Sequence, residues 1–180
     1  MKLPVTHAPV WQPAPSLSRR QGLALLGFGA AALALRPSGA LSQTASHTIT
    51  AHNRTPEGTQ MAFAPAVLHV APGDSVHFAH ADRGHNVQSY DEMRPEGAAG
   101  FGGGIGEEID VTFDVEGTYG FFCRPHQGMG MIGFVLVGDF TGNLEAVRAA
   151  VAELRGPMIA RRAEEYFAEI SRIGQSSGLI

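Results

Sequence analysis

From about residue 46 the chain alternates polar and apolar positions in short runs separated by turn residues. Residues 47–52, His-Thr-Ile-Thr-Ala-His, place apolar side chains at every second position, as a half-buried strand does. Residues 66–70 (Ala-Val-Leu-His-Val) form a second run. Pro72-Gly73-Asp74 then marks a turn, and residues 75–78 (Ser-Val-His-Phe) begin a third run, so a hairpin is predicted with His69 and His77 flanking its turn and facing solvent. Residues 85–89 read as another short strand. Residues 91–106 hold seven glycines or prolines and are predicted to be a long flanking loop. Residues 110–115 alternate again, Gly117 turns the chain into residues 118–123, and residues 131–137 form the last strand.

Beyond Gly138-Asp139 the period changes from two to about 3.6. Asn143 is placed to cap a helix running to Leu154, with Leu144, Val147, Val151 and Leu154 on one stripe. Gly156-Pro157 interrupts it. A second helix is predicted over residues 158–170, packing through Tyr166, Phe167 and Ile170. The whole is an all-β sandwich of seven or eight strands with two C-terminal helices.

The first forty residues follow a different pattern. Ser18-Arg19-Arg20 precedes an uncharged apolar run over residues 23–35, and Ser38-Gly39-Ala40 suits signal-peptidase cleavage. The run has 13 residues, short of the roughly 20 that span a bilayer. Residues 1–40 therefore read as a bacterial export signal of twin-arginine type, and residues 41–180 as the mature domain. It departs from the preferred twin-arginine pattern, since Gln21-Gly22-Leu23 follows the arginine pair; the Sec route is the alternative. Cleavage would remove four of the 13 basic residues (Lys2, Arg19, Arg20 and Arg36) and none of the 17 acidic ones, taking the formal charge from −4 to −8 and leaving no lysine. Phosphate contacts need clustered Lys and Arg, so nucleic acid is excluded as a partner.

Cys123 is the single cysteine. An exported chain with one cysteine has no internal disulfide, so the thiol is free, paired between chains or bound to a ligand. It opens the run Cys123-Arg124-Pro125-His126-Gln127-Gly128-Met129-Gly130-Met131, which places a thiolate, an imidazole and two thioethers on one loop between strands. His85 supplies a second imidazole from a separate segment, after Asp82-Arg83-Gly84. Two imidazoles and one thiolate in a trigonal set with a weak axial thioether are the ligands of a blue, type 1 copper centre. Met129 and Met131 both compete for the axial place. Met131 begins a strand, where packing holds a weak ligand still, and Met129 sits between glycines, so spacing favours Met131. Zinc prefers four tighter ligands and rarely takes a thioether. Haem attachment needs Cys-x-x-Cys-His, which the chain lacks. No third catalytic partner or oxyanion hole accompanies the Cys and His, so an enzyme is not predicted.

These stretches resemble the cupredoxins, and most closely the pseudoazurin family. The similar segments are residues 61–65 (Met-Ala-Phe-Ala-Pro), 70–76 (Val-Ala-Pro-Gly-Asp-Ser-Val), 84–87 (Gly-His-Asn-Val), 117–120 (Gly-Thr-Tyr-Gly), the metal loop through Gly133, and 143–147 (Asn-Leu-Glu-Ala-Val). The resemblance implies an eight-stranded Greek-key sandwich with one copper at its end, held by His85, Cys123, His126 and Met131. It implies a monomeric periplasmic one-electron carrier, with redox proteins such as copper nitrite reductase or c-type cytochromes as partners, as in denitrification, and His126 as the electron port. Asn86 is expected to tie the two ligand loops together, with its amide N–H aimed at the Cys123 sulfur. Two departures stand out. Family members carry Thr or Ser after the ligand cysteine, where this chain has Arg124, and they ring the copper edge with lysines, where this chain offers only Arg83, Arg94 and Arg124. The alternative functions are a copper-delivery protein on the same fold, which would expose Met- and His-rich ligands, and one domain of a multicopper enzyme, which would need a second copper centre.

Overall fold

The computed structural model describes residues 44–180; the predicted export signal lies outside them. Eight strands form two four-stranded sheets. The first contains β1 (Ser46–Arg54), β2 (Gln60–Ala64), β4 (Asp74–His80) and β6 (Ile109–Phe113), in the order β2-β1-β4-β6. The second contains β3 (Val67–Val70), β5 (Gln88–Ser89), β7 (Gly117–Phe122) and β8 (Ile132–Val137), in the order β3-β8-β7-β5. Two helices follow, α1 (Leu144–Glu153) and α2 (Pro157–Ser177). The patterning predicts seven or eight strands and a helical tail; the structure has eight, and β2 is the one that none of the predicted runs covers.

The alternation explains the layers. Ile49 and Ala51 of β1, Val76 and Phe78 of β4, and Phe113 of β6 point inward and meet Phe121, Val135 and Val137 of the opposite sheet. Phe121 is the hub, with rings of Phe63 and Phe78 edge-on to it at 4.9 and 5.3 Å. Burying each such ring contributes about 1.5–3 kcal/mol. Strand β8 does not alternate: all six of its residues are buried. Val135 and Val137 face the sandwich, while Ile132, Phe134 and Leu136 face a second core built with Val147, Ile159, Phe167 and Ile170 of the helices. A strand covered on both faces reads as a continuous apolar run. Gly133 sits where the Phe121 ring passes so close that a Cβ would overlap it.

The predicted hairpin across Pro72-Gly73-Asp74 is not formed. The turn is there, with the Asp74 N–H donating to Ala71 O at 3.1 Å, but it carries the chain from one sheet to the other. β3 pairs parallel with β8, and β4 pairs parallel with β1 and antiparallel with β6. A turn signal specifies reversal and leaves the pairing to the two apolar faces. His69 and His77 therefore belong to different sheets. His69 is half-buried, its Nε2–H donating to Gly138 O (3.0 Å) with its ring edge-on to Phe140; His77 lies 3.0 Å from Asp110.

Three boundaries also differ. Only Gln88–Ser89 of the predicted 85–89 strand pairs, because His85 and Asn86 are drawn into the site below. The second helix runs seven residues further, to Ser177. Asn143 precedes α1 without capping it: its side chain accepts from Thr118 N (2.7 Å) and donates to Thr118 O (2.9 Å), tying the helix start to β7.

Candidate metal centre

The two loops singled out in the sequence meet at one end of the sandwich. Cys123 follows directly on the end of β7, a 3₁₀ segment over Arg124–Met129 carries His126, and the chain enters β8 through Met131. His85 comes from the connection between β4 and β5, just after Gly84, whose φ of +92° makes the bend. Cys123, His85 and Met131 are each 0% exposed, whereas His126 keeps part of its surface.

Three donor atoms converge. The Cys123 Sγ lies 3.7 Å from His85 Nδ1 and 3.4 Å from His126 Nδ1, and the two Nδ1 atoms are 3.2 Å apart. Bonds of about 2.0–2.3 Å spread over a trigonal plane separate neighbouring donors by roughly 3.5–4.0 Å. The observed triangle has that size to within a few tenths of an ångström. Its soft thiolate and two imidazoles also match copper by donor chemistry. Among the described residues this is the one cluster of three such groups. Of the two candidate thioethers, Met131 is enclosed in the core cluster that contains Cys123, and Met129 is 45% exposed.

The loop is wired to itself. The Cys123 N–H donates to Met131 O (3.0 Å), and the Met131 N–H donates to His126 O (3.2 Å). Gln127 Nε2 donates to the Tyr90 hydroxyl at 2.8 Å, whose ring stacks on Phe122. Burial pushes the Tyr90 phenol up to about 12, so it remains a neutral anchor.

The second loop is tied to the first through Asn86. Its Oδ1 accepts the Arg124 backbone N–H at 2.8 Å and its Nδ2 donates to Gly103 O at 3.1 Å. The backbone of residue 124 makes this tie, and the Arg124 side chain donates to Gln88 Oε1 at 2.7 Å. Burial pushes the Cys123 thiol up, and the backbone N–H groups of Asn86 and His126, which favour the thiolate, oppose it. Burial, then the neighbouring His126, pushes His85 down, so its imidazole is neutral and its lone pair available.

Asn53, at the end of β1, escaped the sequence analysis. Its Oδ1 accepts from His85 Nε2 at 3.2 Å. That bond places the ring proton on Nε2 and leaves Nδ1 as the donor facing Cys123. Nothing in the local pattern marks Asn53, since it meets His85 only through the fold.

Residues 49–138 match the family model for copper binding proteins of the plastocyanin/azurin family. The chain is 38% identical to a pseudoazurin of Methylorubrum extorquens over 79% of its own length and 95% of that protein. It belongs to the pseudoazurin family. A pseudoazurin of Paracoccus pantotrophus is 40% identical over 68% of this chain and 84% of its own. The solved structure of a pseudoazurin from Sinorhizobium meliloti is 42% identical and superimposes with a TM-score of 0.65, covering 71% of this chain and 97% of that one. The cofactor of this pseudoazurin-family chain is accordingly copper, in agreement with the His-Cys-His triangle.

Proposed function

We propose that the chain is a periplasmic one-electron carrier whose type 1 copper is held by His85, Cys123, His126 and Met131. The observation that carries this reading is the triangle of one thiolate and two imidazole nitrogens closed to 3.2–3.7 Å inside the apolar end of a pseudoazurin-family sandwich. Copper bound there supplies a one-electron couple. The protein supplies the rest. Asn53 and Asn86 orient donors, the Phe-rich core excludes water, and the loop hydrogen bonds hold one donor geometry through both oxidation states. His126, the one partly exposed member of the triangle, gives a partner its shortest route to the site.

Residues 1–40 act as the export signal that delivers the domain to the periplasm, with residues 41–180 as the mature chain. No described helix is long and apolar enough to cross a membrane. The partners are other redox proteins, copper nitrite reductase or c-type cytochromes, met by a monomer in brief encounters. Steering by charge is reduced at this surface. Arg83 and Arg124 are exposed near the site, while Arg94 is held by Asp91 (3.0 Å) and Ala98 O (2.7 Å).

A carrier exchanges electrons and keeps its metal; a delivery protein exchanges the metal. Cu(I) protein labelled with 15N and loaded with one copper isotope, mixed with unlabelled Cu(II) protein loaded with another, should equilibrate its electrons while each isotope stays on its own chain, as read by native mass spectrometry. Isotopes that scramble as fast as the electrons would replace this reading with copper delivery.

A further inference from the structure

Arg162 is the one buried arginine among the described residues. It lies on α2 and is 5% exposed. Its Nη1 donates to Met61 O at 2.8 Å and to Gly130 O at 3.2 Å, and its Nη2 donates to Gln60 O. All three acceptors are backbone carbonyls, and among the described residues Arg162 forms no ion pair. Burying a guanidinium without a carboxylate is costly, so the acceptors around it must be held in place for the arrangement to persist.

Those acceptors are informative. Gly130 immediately precedes Met131, whose N–H and C=O are bonded to His126 and Cys123. Gly130 adopts a φ of +78°, and a Cβ there would come within 2.8 Å of Met158 O in the first turn of α2. Met61 is the one non-glycine residue with positive φ (+46°) among those described, and its side chain packs on the core cluster that holds Cys123 and Met131. The guanidinium thus joins three segments: the start of β2, the metal loop and α2. A planar fork of fixed donors suits that task; a lysine ammonium is a point donor and does not.

We propose that Arg162 is a positioning residue for the copper site, pinning the Gly130 peptide and so fixing the Met131 thioether and the loop around it. This rests on Met131 being the axial ligand. Through this brace the C-terminal helix, which contributes no donor, controls how far the loop moves when the site changes oxidation state.

The test has two parts. Hydrogen exchange on metal-free wild-type protein should show the Gly130, Met131 and Ile132 amides opening together with those of α2, with one denaturant dependence. Loop amides that open while α2 stays protected would overturn the proposal. Second, Arg162→Gln and Arg162→Lys are loaded with Cu(II). Both should change the Cu(II) EPR spectrum and slow electron self-exchange, the Gln variant by about tenfold and the Lys variant by less. Variants that melt earlier yet keep the wild-type spectrum and exchange rate would show a merely structural arginine. Met131→Leu separates the two layers of the argument. A changed spectrum in Met131→Leu with silent Arg162 variants removes the brace and keeps the ligand; an unchanged one removes the axial assignment, while hydrogen exchange still decides the brace.

Discussion

At the scale of single residues, the potential of the site depends on what touches the Cys123 sulfur. Backbone N–H groups of Asn86 and His126 favour its thiolate form, and Pro125, between Cys123 and His126, has no N–H to add. Each N–H aimed at a thiolate draws electron density from it and favours the less charged Cu(I) state. Pro125→Ala supplies a new donor and should raise the reduction potential. A hydrogen bond difference of about 1 kcal/mol corresponds to a shift on the order of 40 mV for one electron. Protein-film voltammetry reads it directly, and an unchanged or lower potential would contradict the account. The proposed ligands were legible in the sequence because three of the four lie on one short loop at fixed spacing, around a cysteine with no disulfide partner. Asn53 was not legible. It reaches His85 across 32 residues, and an asparagine at the end of a strand is ordinary.

Elements show the same division between what is local and what is folded. The alternating strands, the glycine-rich flank and the change to helical period each follow from neighbouring residues, and each is present. Pairing is another matter. Pro72-Gly73-Asp74 looks like a hairpin turn, yet β3 and β4 end in opposite sheets because each strand's apolar face finds a different partner. Asp74 secures that crossing. Its carboxylate accepts from Ala45 N (2.7 Å), Ala71 N (3.0 Å) and His47 (3.0 Å), joining the entry to β1 to the turn before β4. Chiefly the Ala45 N–H, then His47, holds its pKa below the usual 3.8. A depressed folded pKa gives stability that is present above the unfolded value of about 3.9 and is lost as pH falls through the folded one. Asp74→Asn should therefore melt earlier than wild type at neutral pH, by about 1–3 kcal/mol for donors left without a charged acceptor. The gap should close as the buffer is taken below about pH 4. Thermal melts across that range would refute the assignment if the gap were constant.

For the whole molecule, two cores share one sheet. The inner core ends at the metal site, and the outer core anchors the helices on β8. The patterning announced a β domain with a helical tail, and the unbroken apolar run of β8 is the visible trace of its double burial. What the sequence did not disclose is that the tail reaches back to the metal loop. Arg162 reads as one more charged position on an amphipathic helix, and only the fold brings it against Gly130. The central claim is narrower than this architecture: the Cys123 thiolate and the two imidazoles bind one copper in a type 1 geometry. The direct measurement is the visible absorption spectrum of residues 41–180 titrated with Cu(II), beside a Cys123→Ser control. The account predicts an intense thiolate-to-copper band in the visible that saturates at one copper per chain, bleaches with ascorbate and is absent from the control. A colourless complex, or weak absorption indifferent to Cys123, would contradict it.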